Sequence, residues 1–116
     1  MKMLLLKLGG VGLLAAACGS TAMPPPSMTE AQSSVRAAEA VGAESLPRGA
    51  LHLKLARDGI EDAKRLIADD ESEKAELVLE RAEVDAELAL ALTYEAKARA
   101  EAQTALAEVR ELGGTN

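Results

Sequence analysis

Between Ser72 and Leu112 the chain runs for 41 residues without a glycine or a proline, and 18 of those positions are Ala or Leu. The two residue types most damaging to a helix are missing and two of the most favourable dominate, which predicts one uninterrupted helix about 60 Å long. A rod of that length cannot fold back on itself. The rest of the chain must lie along it or lead up to it.

Two apolar stripes run down this third helix. One is Ala75, Leu79, Ala82, Ala86, Ala89, Thr93, Ala96 and Ala100; the other is Val84, Leu88, Ala91, Ala98, Ala102, Ala105, Val109 and Leu112, interrupted by Glu95. From Leu77 to Leu92 most of the circumference is apolar, so two neighbouring helices are expected to cover it. With no Trp, no Phe and one Tyr in the chain, stability must come from close helix approach rather than from large buried rings. Tyr94 is expected to lie at the surface.

The shorter helices are legible upstream. Ser27-x-x-Glu30 and Thr29-x-x-Gln32 both fit a capping box and open a first helix near residue 28. Its stripe of Ala31, Val35, Ala38 and Val41 is stopped by Gly42. Pro47 suits the first turn of a second helix, where its missing N–H costs nothing. The second seam is Leu53, Ala56, Ile60, Ala63 and Ile67. Asp70-x-x-Glu73 is a candidate cap for the third helix, and so short a connection sets helices two and three antiparallel. The expected fold is all-α: an antiparallel helical hairpin with a short additional N-terminal helix, an elongated three-helix arrangement. Its domain spans residues 28–112, with helices at about 28–42, 47–69 and 72–112, and residues 113–116 form a tail. Helix two reaches along only about 33 Å of helix three, so the distal half must meet helix one, a second copy or water.

The first residues read as an address. Lys2 and Lys7 precede an apolar run from Leu8 to Ala17, too short to span a bilayer, with the outline of a secretory signal peptide over residues 1–17. The segment Leu14-Ala15-Ala16-Ala17-Cys18-Gly19 resembles the lipobox of bacterial lipoproteins. That resemblance implies lipidation of Cys18 by acyl chains such as palmitate, and Gly19 in place of Asp implies an outer-membrane anchor facing the periplasm. The position three before the cysteine is Ala15 where that family usually has Leu. Ala15-x-Ala17 also fits ordinary cleavage, which would release a soluble protein. Residues 18–27, with Pro24, Pro25 and Pro26, read as a tether that could extend about 25 Å.

Charge and chemistry exclude more than they assign. The formal charge is -6, and loss of residues 1–17 removes Lys2 and Lys7, leaving 11 basic against 19 acidic side chains. Nucleic acid is therefore not an expected partner. One cysteine allows no internal disulfide and no multi-cysteine metal site. His52, the single histidine, has no ligand type three or four residues away, so neither metal nor cofactor is expected. Glu73, Glu76, Glu80, Glu83 and Glu87 form an acidic line at 3, 4, 3, 4 spacing. Its ordinary reading is a solvated face partly paired with Lys54, Arg57, Lys64 and Arg65 of helix two; its functional reading is a partner-binding face.

The run Leu53-Lys54-Leu55-Ala56 to Ile60-x-x-Ala63-x-x-x-Ile67, an acidic turn, then Ala75-x-x-x-Leu79-x-x-Ala82-x-x-Asp85-Ala86-x-x-Ala89 resembles the DUF4398 domain of bacterial lipoproteins. The resemblance implies a helical envelope lipoprotein domain without an assigned reaction. The expectation is a non-catalytic, lipid-anchored spacer or adaptor in the periplasm with a protein partner in the envelope. The alternative is a regulatory subunit that binds a cell-wall enzyme or envelope complex through the acidic face. The C-terminal Gly113-Gly114-Thr115-Asn116 lacks the lysine by which a murein lipoprotein is tied to the wall. Pairing with a second copy stays open.

Overall fold

The computed structural model describes residues 24–114, which are helical almost throughout and contain no strand among the described residues. Helix α1 is Pro26–Ala40, α2 is Pro47–Ala68 and α3 is Ser72–Gly113, with a 3-10 turn at Ala43–Ser45 between the first two. The lipobox, Cys18 and the first part of the tether lie outside the described residues, as do Thr115 and Asn116.

Helix α3 is the single long element its sequence predicts. Its first half is the platform on which α2, and beside it α1, lie. The buried seam of α3 is Ala75, Leu79, Ala82, Ala86, Ala89 and Thr93, against Leu53, Ala56, Ile60 and Ala63 of α2 and Met28, Ala31, Val35 and Ala38 of α1. Most of these side chains are a single methyl group, so the helix axes come close and dispersion between backbones replaces bulk. A methyl placed on Gly59 of α2 would lie 3.0 Å from Ala82 Cβ, which shows how little space separates the two helices. Thr93 satisfies its buried hydroxyl locally, donating to the Ala89 carbonyl at 2.8 Å.

The connections differ from the expected caps. Helix α1 starts at Pro26, two residues early, because a proline is at ease in a first turn; Pro25 before it is extended, at φ -59 and ψ 149. Neither the Ser27 nor the Thr29 capping box forms, since both residues already lie inside the helix. The Asp70-x-x-Glu73 box is also absent: Glu71 precedes α3 and no side chain caps it. Asp70 instead takes a left-handed φ of 60, and Glu71 N–H donates to the Leu66 carbonyl at 2.8 Å while Asp70 N–H donates to that of Ile67 at 3.2 Å. This Schellman closure of α2 uses Asp70 where glycine is usual. Gly42, at φ 85, makes the other reversal.

One expectation about packing is corrected. Helices α1 and α2 do not cover the apolar circumference of α3 between Leu77 and Leu92; both sit over its alanine seam, and Leu77 stays exposed together with Val84, Leu88 and Val109 of the second stripe. The cause is the width of the seam. Short side chains let two neighbours fit side by side on one face. From Lys97 to Gly114 every residue is exposed, so the distal part of α3 meets water.

Gly49, buried in the first turn of α2, sits against the 3-10 turn, and a Cβ there would approach the Ala43 carbonyl oxygen to 2.6 Å. Gly49→Ala is expected to destabilise the fold by about 1–3 kcal/mol. Gly113→Ala, where a Cβ meets nothing within 4 Å, is the neutral control. Paired thermal melts check this; equal midpoints for the two variants would show that the turn does not press on α2.

Candidate functional site

The acidic line of α3 is the feature the fold brings into relief. Helix α1 runs parallel to α3: its start at Pro26 lies beside Ile67 and Ser72, and Val41 and Gly42 after its end lie beside Thr93 and Ala96. This places Glu30 of α1 with Glu76, Glu80 and Glu83 of α3 along an open groove of about 440 Å³. Glu73 stands apart at the α2–α3 turn, and Glu87 is exposed beyond the groove. The structure thus unites three of the five predicted residues and adds Glu30.

The cations expected to pair with this line go elsewhere. Lys54 pairs with Asp58, Lys64 with Glu61 and Arg65 with Asp62, all within one turn of α2. Arg57 turns to the other side, donating through Nε and Nη2 to Glu39 Oε1 at 3.0 and 2.6 Å, and through Nη2 to Glu44. Glu44 and then Glu39 hold its guanidinium above the ordinary value, and the group fastens α1 and the 3-10 turn to α2. Local pairs at three or four residues ask for little extra ordering, which is why they win over partners across the hairpin. Among the described residues none of Glu73, Glu76, Glu80, Glu83 and Glu87 has an ion-pair partner.

One polar contact escaped sequence reasoning. His52 Nδ1 donates to Asp85 Oδ1 at 2.9 Å, and the two half-buried side chains pin α2 to α3. The residues are 33 apart, and no local pattern announces the pair. Asp85 falls on the edge of the α3 seam, in the motif Ala82-x-x-Asp85-Ala86. A second groove, of about 360 Å³, is lined by Leu46, Pro47, Leu92 and Ala96 with Arg48 and Arg99. Among the described residues no group of three or more His, Cys, Asp or Glu could hold a metal ion, and no helix is long and apolar enough to cross a membrane.

The profile of DUF4398, a domain of unknown function, matches residues 26–108, from the first residue of α1 almost to the end of α3. The chain belongs to the DUF4398 family. No curated protein and no solved structure matches it. For this DUF4398 chain the match covers all three helices and the acidic line together, so the exposed glutamates lie inside the family's domain rather than on an appendage.

Like charges at three and four residues repel by about 0.2–0.5 kcal/mol per pair when nothing offsets them. Glu83→Gln, which relieves repulsion with both Glu80 and Glu87, is expected to raise stability by up to about 1 kcal/mol. Chemical denaturation of the variant checks this; a loss of stability would reveal a hidden partner for Glu83.

Proposed function

We propose that this DUF4398 protein is a non-catalytic cell-envelope lipoprotein, tethered through Cys18 to the periplasmic face of the outer membrane, and that its helical rod serves as a spacer or adaptor. The observation that carries the reading is the polarity of the rod. The chain enters α1 beside the α2–α3 turn, and α3 runs from that same end and continues past its neighbours as an exposed helix. An anchor upstream of Pro26 would hold one end near a membrane and present the other away from it. The 17 residues from Lys97 to Gly113 would add about 25 Å of reach.

Anchoring rests on the lipobox-like segment that ends at Cys18. Burial of an acyl chain contributes about 0.8 kcal/mol per CH₂, so more than one chain on that cysteine makes release negligible. The non-catalytic part of the reading is supported by what the polar groups already do: His52 is held by Asp85, and Arg57 by Glu39 and Glu44.

A second reading, regulation of a cell-wall enzyme or envelope complex, is favoured by the uncompensated glutamates of α3. A surface left with such repulsion gains most when a cationic partner arrives.

Cys18→Ser should abolish incorporation of labelled fatty acid and move the protein from the membrane to the soluble fraction. Unchanged membrane fractionation of that variant would contradict the anchor and leave cleavage after Ala17 as the better account.

A further inference from the structure

The exposed side of α3 carries a second pattern, distinct from its buried seam. Leu77, Val84, Ala91, Ala98 and Ala105 recur every seven residues, and Leu88, Ala102 and Val109 fall between them at the four-then-three spacing of a coiled-coil seam, with Arg81 and Glu95 at the two remaining positions of that register. Leu77, Val84 and Val109 are 67%, 62% and 64% exposed and Leu88 39%, and the alanines between them are exposed as well. Along one flank runs a strict heptad of Glu73, Glu80, Glu87, Tyr94, Glu101 and Glu108. Five of its six members are glutamate, and none of the five meets a cation among the described residues.

The acidic flank selects among occupants. In an antiparallel pair of α3 helices the glutamate row faces its own copy, and like charges oppose the pairing. A parallel copy brings Val78, Asp85, Leu92 and Arg99 against it, and Arg99 is already committed to Glu95 of its own helix. Neither arrangement neutralises the row. We infer that the outer seam of α3 docks an amphipathic helix of another protein whose apolar stripe is flanked by lysine or arginine. This names the partner class for the adaptor reading and rests on that reading.

Geometry limits the strength of such a complex. From Leu77 to Val109 the seam is about 50 Å long and about 10 Å wide, so the two helices together would bury roughly 1,000 Å². That is the lower edge of specific interfaces, where the complex is transient and charge contributes much of its selectivity. A strict seven-residue repeat drifts about 20° per heptad around a straight helix, so the partner wraps α3 with a left-handed twist.

The test uses the full chain in nonionic detergent and two synthetic helical peptides of five heptads with the same leucine and alanine seam, one flanked by lysine and its twin by glutamate. Fluorescence anisotropy should show the lysine peptide binding and the glutamate peptide failing to bind. Affinity should fall at least tenfold in the triple variant Glu80→Gln, Glu87→Gln, Glu101→Gln, and binding should vanish in Val84→Asp with Val109→Asp, whose circular dichroism is unchanged because both sites face solvent. Equal binding of the two peptides, no binding of either, or a chain already dimeric through this seam overturns the inference. Membrane release by Cys18→Ser is scored separately, so an anchored chain that ignores the lysine peptide sinks this inference and leaves the anchor standing.

Discussion

The structure depends on how closely three helical backbones can approach. Among the described residues, nine of the fourteen buried apolar side chains are alanine: 31, 38, 43, 56, 63, 75, 82, 86 and 89. Each buries little area by itself, and at about 25 cal/mol per Å² such a core is weak if judged residue by residue. Its strength lies in the absence of anything longer to hold the axes apart, as at Gly59 over Ala82 and Gly49 over Ala43. A seam of methyl groups is also narrow enough for α1 and α2 to share one face of α3. The sharing leaves the opposite face bare.

That bare face links packing to function. A hairpin with interleaved leucines would have wrapped α3 and used up its apolar surface. Here the alanine seam consumes one side and stops near Thr93, while the helix continues to Gly113. The local ion pairs of α2 act in the same direction, because they retain cations that could have crossed to α3. The result is a rod with a packed side, an outer apolar seam and an uncompensated row of carboxylates. Each of the three follows from residue spacing.

Much of this was readable from the residues. The uninterrupted run from Ser72 forecast α3, and the 3, 4, 3, 4 spacing from Leu53 to Ile67 forecast the face of α2 that is buried. Helix ends were less legible. Pro26 and Asp70 solved their turns by backbone conformation, where Ser27, Thr29 and Glu73 had offered side-chain caps. The tertiary choices were hidden for a different reason. Whether α1 lies across α3 or beside α2 depends on interhelical spacing, and the His52–Asp85 contact joins residues with no shared local pattern. The ion pairing of Lys54, Lys64 and Arg65 was decided by Asp58, Glu61 and Asp62 on the same helix, acids that the acidic line on α3 had overshadowed.

The central claim is that α3 is one continuous helix with two energetic halves, locked by the alanine seam up to Thr93 and solvent-exposed beyond Lys97. Residue-resolved amide hydrogen exchange on the full chain tests it most directly, since a packed half opens only with global unfolding while an uncovered helix end frays locally. The account predicts slow exchange from Leu79 to Thr93 and exchange faster by several orders of magnitude from Ala100 to Arg110, despite equal helicity. Uniform protection along all of α3, or rapid exchange within the Leu79 to Thr93 segment, would contradict it.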